Sequence, residues 1–148
     1  MTEDIIMVAA QPRLIEGGIH IDERGILSFV NGFDFAGVQR SYIVRSHRAG
    51  QKRGWVGHKI EQKWFWAIQG TCKIAVVKPD EWELPASNLS VETFILSDRK
   101  PAVLHIPAGY ANAIMSLSED AILMVFSTGK IADASNDDYR FALDTWPI

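Results

Sequence analysis

The sequence is poor in cysteine, in long apolar runs and in excess positive charge. Its 148 residues include a single cysteine, Cys72, so no disulfide can form within the chain. No apolar run approaches the roughly 20 residues that a membrane-spanning helix requires. A formal net charge of -3 argues against a surface for duplex nucleic acid, which depends on clustered lysine and arginine. We therefore expect partners other than nucleic acid or membranes. We also expect a cytoplasmic location, since the first residues, MTEDIIMVAA, are acidic where a secretory signal is basic.

Helical periodicity is almost absent as well, and short β-type runs take its place. Glycine, proline, asparagine and aspartate separate these runs, which is typical of an antiparallel sandwich or barrel. The candidate strands are a short one around His20 and then 25–30, 40–45, 63–68, 71–77, 91–96, 102–106, 112–117 and 121–127. We predict an all-β fold in one domain over residues 1–148, with a short irregular or helical segment near the C-terminus.

That C-terminal segment is DASNDDYRFALD, residues 133–144. Ser135 or Asn136 could cap a short turn of helix there, and the helix would carry Tyr139 and Phe141.

The run KWFWAI illustrates how alternation sorts residues onto two faces of a strand. Lys63 shares one face with Phe65 and Ala67, whereas Trp64 and Trp66 share the other. If the lysine face is the inner one, its ammonium group must meet an anion or reach water.

The tryptophans are interpreted mainly as packing residues, although each could also stack on a base or a sugar ring.

Three stretches together resemble a known family. They are HIDERGILSF (20–29), VQRSYIVRS to KRGWVGHK (38–59) and LHIPAGYANAIMSLSEDAILMVFS (104–127). In order and spacing they resemble the dTDP-sugar cupins, which include dTDP-4-dehydrorhamnose 3,5-epimerases and dTDP-4-keto-6-deoxyglucose 3,4-ketoisomerases. The resemblance implies a cupin-type double-stranded β-helix (jelly roll) and a homodimer. It also implies metal-independent action, with no cofactor, on a nucleotide sugar in deoxysugar or polysaccharide biosynthesis.

Three cationic residues match family positions that contact substrate. Arg24 and Arg53 match arginines near the nucleotide diphosphate, where a guanidinium group can bind phosphate oxygens in bidentate fashion. Lys63 matches the active-site lysine of the epimerases, and the resemblance implies that it stabilises the oxygen of an enolate.

Several positions depart from the epimerase pattern. Val56 stands where the epimerases have their histidine base, Asn112 replaces a second histidine, and Val125 replaces the acid tyrosine. The aspartate that orients the epimerase base would fall in a tail beyond TWPI. The ketoisomerases read R-G-x-H-A-H-K, and of their two histidines only the second is present, as His58. Orthodox 3,5-epimerisation is therefore not expected.

The remaining residues are closer to the ketoisomerase arrangement. Tyr42 matches an active-site tyrosine of those enzymes, so we predict His58 as the base and Tyr42 as the proton donor. Asn112 and Lys63 would orient the keto sugar. Glu61 would pair with a neighbouring lysine or accept a sugar hydroxyl.

Three alternatives remain open at this level. A metal cupin would need an H-x-H pair, a glutamate and a distant histidine, but only His58 and Glu61 match, and a catalytic metal usually takes at least three protein ligands. A non-catalytic module could keep the sugar-nucleotide pocket and lack turnover. A jelly roll that serves assembly alone would bind no nucleotide.

Overall fold

The computed structural model describes residues 10–148, so the acidic start of the chain lies outside the described residues. In the described part, twelve strands pair antiparallel and one 3-10 helix follows the eleventh. The strands are β1 (Arg13–Glu16), β2 (Gly18–Asp22), β3 (Gly25–Phe29), β4 (Arg40–Arg45), β5 (Lys52–His58), β6 (Lys63–Gln69), β7 (Thr71–Val77), β8 (Glu92–Ser97), β9 (Ala102–Ile106), β10 (Tyr110–Ser116), β11 (Ile122–Ser127) and β12 (Tyr139–Arg140). The 3-10 helix spans Ile131–Asp137. None of the described helical residues forms a segment long and apolar enough to cross a membrane.

Two five-stranded sheets form the body of the fold. One has the order β1-β9-β6-β11-β4 and the other β12-β5-β10-β7-β8, while β2 and β3 form a separate hairpin. The main core lies between the two large sheets and takes Phe65 and Leu123 from the first and Ile74 and Leu96 from the second. The all-β prediction and the jelly-roll architecture are confirmed.

Three of these strands were not predicted from the sequence: β1, β5 and β12. The β5 run is KRGWVGH, whose two glycines and charged residues resemble a loop. Gly57 is required there because a Cβ atom at this position would lie 2.6 Å from the ring of Trp82. The glycine thus reflects close packing behind a strand rather than a turn.

The prediction of a helix over 133–144 is only partly right. The 3-10 helix begins earlier, after Lys130, and no side chain caps it, so the expected caps Ser135 and Asn136 are wrong. Tyr139 lies in β12, which pairs with β5, and Phe141 packs against Trp146 at a ring distance of 5.2 Å. Pairing with the sheet edge overrides the weak helical pattern in this segment.

The five tryptophans all pack against other residues. Trp55 and Trp146 are almost fully buried and meet edge to face at 5.1 Å. Trp64 and Trp66 lie on the outer face of the first sheet, and Trp82 packs against the aromatic residues after the 3-10 helix. Every tryptophan therefore has packing contacts within residues 10–148.

Candidate active site

A cavity of about 740 Å³ lies between the two sheets. It receives side chains from β4, β5, β6 and β10, and from the segment that includes the 3-10 helix and β12. Six of the seven side chains singled out in the sequence line this cavity, and they are Tyr42, Arg53, His58, Glu61, Lys63 and Asn112. The structure therefore brings together residues that are up to 70 positions apart, as Tyr42 and Asn112 are. Their individual roles remain predictions.

An irregularity in the pairing of β5 with β10 places Arg53 in the cavity wall. Asn112 pairs with Val56, but Ile114 pairs with Arg53, so two steps along β10 match three steps along β5. This β-bulge shifts the alternation of β5 by one residue. Arg53 consequently shares the cavity side with Val56 and His58, whereas strict alternation would have put it on the side of Trp55.

His58 is held by the end of the 3-10 helix. Its Nδ1 lies 2.6 Å from the carbonyl oxygen of Asp137, and this nitrogen must donate because a carbonyl oxygen can only accept. The other nitrogen, Nε2, is buried and has no hydrogen-bond partner within residues 10–148. Burial, followed by the charge of Lys63, lowers the pKa of His58 below its usual 6.5. At neutral pH the ring is therefore uncharged and Nε2 carries a free electron pair.

Lys63 projects inward on the same face of β6 as Phe65 and Ala67, so the lysine face is the inner one. Only 7% of the residue is exposed, and it forms no ion pair within 4 Å with any described carboxylate. Burial lowers its pKa from 10.5 to about 8, partly opposed by Glu61. Its Nζ lies 6.0 Å from the ring centre of Tyr42. The site therefore contains a cation whose pKa lies close to neutral pH.

Tyr42 keeps its proton at neutral pH. Burial raises the pKa of its hydroxyl, and the charge of Glu61 adds to this effect. The guanidinium group of Arg40 lies 5.5 Å from the ring centre. A protonated tyrosine in this position can donate a hydrogen bond or a proton to a ligand.

Sequence reasoning missed three charged residues of the cavity: Arg40, Asp138 and Arg140. Arg40 precedes Tyr42 by two positions and so shares its face of β4, which alternation alone could have indicated. Arg140 pairs with Val56 through β12, and its guanidinium group donates to Asp138 at 2.8 and 3.1 Å. No local pattern indicated this pair, since its segment was interpreted as helix.

Arg24 lies apart from the other predicted residues. It sits at the tip of the β2–β3 hairpin, is 81% exposed and donates to Asp22 at 2.6 Å. It does not line the cavity of its own chain. The prediction that it binds a diphosphate is therefore not supported by the placement of Arg24 within a single chain.

The residues that depart from the epimerase pattern lie either in the cavity wall or in the core. Val56 lines the cavity as an apolar side chain, and Asn112 lies nearby, 4% exposed. Val125 is fully buried in the core between the sheets. Burial raises the pKa of the Cys72 thiol to about 11, so this cysteine is a packing residue and not a nucleophile.

The remaining histidines lie elsewhere. His105 stacks on Trp64 at 4.8 Å and contacts the side chain of Gln62, while His20 and His47 are exposed. Among residues 10–148, no group of three or more His, Cys, Asp or Glu side chains is placed to hold a metal ion.

Comparison with known sequences identifies the family. The family model described as "FdtA: WxcM-like, C-terminal" matches residues 10–142. The chain belongs to this family. No curated protein matches the sequence.

Comparison with solved structures identifies the fold. An rmlC epimerase from Mycobacterium tuberculosis superposes with a TM-score of 0.71 at 17% identity, over 88% of this chain and 68% of that one. The 3'-monoepimerase ChmJ from Streptomyces bikiniensis, bound to dTDP-quinovose, gives 0.71 at 21% identity, over 87% and 68%. The 3,4-ketoisomerase QdtA from Thermoanaerobacterium thermosaccharolyticum, a mutant bound to TDP-4-keto-6-deoxyglucose, gives 0.68 at 21%, over 90% of both chains. The chain thus shares the cupin-like fold of dTDP-sugar epimerases and ketoisomerases.

Proposed function

We propose that this protein is an isomerase of the ketoisomerase or epimerase type. Its substrate would be a dTDP-4-keto-6-deoxy sugar, and the reaction would move a proton by acid–base chemistry without a metal. The observation that carries the proposal is the free electron pair on Nε2 of His58, in a ring that lines a cavity rich in positive charge. A location in the cytoplasm and a place in deoxysugar or polysaccharide biosynthesis belong to the same proposal.

The charge balance of the cavity supports a diphosphate ligand. Four cationic side chains, Arg40, Arg53, Lys63 and Arg140, face two carboxylates, Glu61 and Asp138. Two of the cations are already paired, Arg40 with Glu61 and Arg140 with Asp138. Arg53 and Lys63 remain, and their two charges match the two negative charges of a nucleoside diphosphate sugar.

The proton chemistry follows from the states of three side chains. A 4-keto group acidifies the hydrogens on the neighbouring carbon, and His58 Nε2 would remove one of them. Lys63 would stabilise the enolate oxygen that develops, because an ammonium group in a site shielded from water interacts strongly with that charge. Tyr42 would return a proton to carbon from its neutral hydroxyl, and exchange with solvent would then remove the proton from His58 and restore that of Tyr42. Asn112 would orient the sugar through its amide.

A homodimer forms part of the proposal. Ile21, Ile26 and Leu27 of the hairpin are 68%, 69% and 61% exposed, although all are large and apolar. The hairpin pairs with neither large sheet of its own chain, so it can reach a second copy. A second copy that covers these side chains would also bring its own Arg24 toward the diphosphate. Light scattering after size exclusion should give twice the monomer mass.

The test of the activity is isotope exchange. The protein is incubated with dTDP-4-keto-6-deoxyglucose in deuterated water, and mass spectrometry and NMR follow deuterium on the ring carbons. Incorporation that depends on the protein supports the isomerase proposal. Saturable binding with no incorporation would contradict it.

The second candidate function is a sugar-nucleotide-binding module without turnover. The apolar Val56 in the cavity wall favours it, since His58 is then the only imidazole among residues 10–148 that lines the cavity. The same exchange experiment separates the two candidates. Binding measured by calorimetry in the absence of exchange is the result that the module predicts.

A further inference from the structure

Asp137 contacts His58 and the loop after it through two different groups. Its backbone carbonyl oxygen accepts the hydrogen on Nδ1 of His58 at 2.6 Å. Its carboxylate accepts the backbone N–H groups of Lys59 at 2.7 Å, Ile60 at 3.0 Å and Glu61 at 2.8 Å. One residue therefore binds the imidazole and the three residues that follow it.

Both sets of contacts satisfy groups that would otherwise be unpaired. Asp137 is the last residue of the 3-10 helix, where backbone carbonyls have no partner within the helix. His58 provides the missing donor for that carbonyl. The carboxylate is buried, with 7% of the residue exposed, and three N–H donors compensate its charge in place of a cation. The contacts are therefore specific for a carboxylate at this point of the chain.

The carbonyl contact determines which nitrogen of His58 is free. In a neutral imidazole one nitrogen donates and the other accepts, and a carbonyl oxygen binds only the donor. Nδ1 must therefore carry the hydrogen, which leaves the electron pair on Nε2. A ring released from Asp137 could adopt the other tautomer, in which Nε2 carries the hydrogen and cannot accept a proton.

We propose that Asp137 is the positioning residue of His58. Its carbonyl holds the imidazole in the Nδ1-protonated tautomer, and its carboxylate anchors that carbonyl to the loop at 59–61. The proposal rests on the proposed function only where it concerns turnover, because the tautomer itself is a property of the free protein. The same 3-10 helix lines the cavity through Ile131 and Ala134, so the element that holds the base also forms part of the cavity wall.

The first test needs no substitution in the helix. The histidines are labelled with ¹⁵N, and the signal of His58 is assigned by its loss in His58→Gln. At neutral pH we expect a proton on Nδ1 and none on Nε2. A proton on Nε2 of the wild-type ring would overturn the proposal, whatever the activity of the protein.

The second test uses Asp137→Asn with Asp133→Asn as the matched control. Asp133 lies on the same helix and its side chain is exposed, so the control removes the same charge without touching the loop at 59–61. In the wild-type protein three backbone N–H groups donate to the carboxylate oxygens. In Asp137→Asn one of these oxygens is replaced by an N–H₂ group, which cannot accept, so at least one of the three hydrogen bonds is lost. We expect Asp137→Asn to populate the Nε2-protonated tautomer, and the control to keep the wild-type spectrum.

The kinetics of deuterium exchange distinguish a positioning role of Asp137 from a purely structural one. In Asp137→Asn we expect kcat for deuterium exchange to fall by about ten- to a hundredfold with KM nearly unchanged, as for other lost orienting contacts. A wild-type tautomer in folded Asp137→Asn would overturn the proposal. If that variant does not fold, the wild-type spectrum decides. If the wild-type protein catalyses no exchange, the proposed function fails, and the tautomer measurements still decide the role of Asp137 toward His58.

Discussion

The guanidinium Nη2 of Arg40 donates to the carboxylate Oε2 of Glu61 at 3.3 Å, in a position where the glutamate is 5% exposed. The second oxygen, Oε1, lies 4.0 Å from Nδ1 of His58. Gly129 makes room for this arrangement, because a Cβ atom there would lie 2.4 Å from Oε1 of Glu61. The glutamate therefore pairs with a cation of the cavity and lies close to the candidate base.

Gly129→Ala should displace Glu61 and weaken its pair with Arg40. We expect a loss of about 1 to 3 kcal/mol in the free energy of unfolding, which is typical of an overpacked site. Urea unfolding of Gly129→Ala, Glu61→Ala and the double variant measures the coupling. In the Glu61→Ala background, Gly129→Ala should lower the free energy of unfolding only slightly. If the two single losses in the free energy of unfolding simply add in the double variant, the steric explanation is contradicted.

His58→Ala should abolish deuterium exchange and leave nucleotide-sugar binding almost unchanged. A general base contributes about 10² to 10⁴ in rate, and the imidazole is not among the cations that would bind the diphosphate. His47→Ala is the matched control, since His47 is exposed and lies outside the cavity. Equal exchange in wild type and His58→Ala would remove His58 from the catalytic role.

Arg53→Ala should weaken binding of dTDP by about 1.5 to 3 kcal/mol, the range for a hydrogen bond to a charged group. Arg53 lines the cavity and is not engaged in an ion pair with any described residue, so a ligand does not have to compete for it. Titration calorimetry measures the loss. Unchanged affinity would show that the diphosphate lies elsewhere.

Arg24→Ala tests the predicted contribution of the hairpin. If a second subunit brings Arg24 to the diphosphate, we expect Arg24→Ala to lose affinity in the dimer, by less than Arg53→Ala does. The existing pair with Asp22 at 2.6 Å should reduce the effect, since the ligand must replace it. An affinity equal to that of the wild-type dimer would leave Arg24 a structural residue of the hairpin.

The pH dependence of kcat/KM should be bell-shaped. Activity should rise with pH as His58 loses its proton, with a midpoint below 6.5 because burial and Lys63 lower its pKa. It should fall again near pH 8, where Lys63 loses its charge. In Lys63→Arg the alkaline limb should move out of the accessible range, since arginine keeps its charge. An alkaline limb near pH 8 that persists in this variant would assign it to another group.

Lys63→Met should stabilise the fold while it removes turnover. A pKa lowered from 10.5 to about 8 corresponds to about 3 kcal/mol of destabilisation at neutral pH, because the unfolded chain holds the proton more tightly. The wild-type protein should regain this stability as the pH rises from 8 to 10.5. Urea unfolding of both proteins should therefore show a gap that is largest at pH 7 and shrinks toward pH 10. A gap that is constant with pH would contradict the buried charge as its cause.

Much of the fold could be predicted from the sequence because alternation is a local property. The runs that became β4, β6, β7, β9, β10 and β11 carry their own burial pattern, and Lys63 was correctly grouped on one face with Phe65 and Ala67. The resemblance to the dTDP-sugar cupins then indicated five residues that the cavity does bring together, and the comparison with metal cupins added Glu61 as a sixth. β5 was missed because its two glycines, Gly54 and Gly57, are also turn formers, although Gly57 serves close packing against Trp82.

What the sequence by itself determined is which residues can form strands, which residues share a face of a strand, and which imidazole is the candidate for proton chemistry. Only the tertiary structure decided that Arg53 shares a side with His58, since the β-bulge depends on how β5 pairs with β10. Tertiary structure also brought Arg140 and Asp137 to the site, 79 residues beyond His58 in the case of Asp137. The physical reason is the sequence distance over which each feature is set. The alternation of a strand repeats every two residues and is local. The β-bulge, the pairing of β12 with β5 and the contact of the Asp137 carbonyl with His58 form only when distant segments pack together.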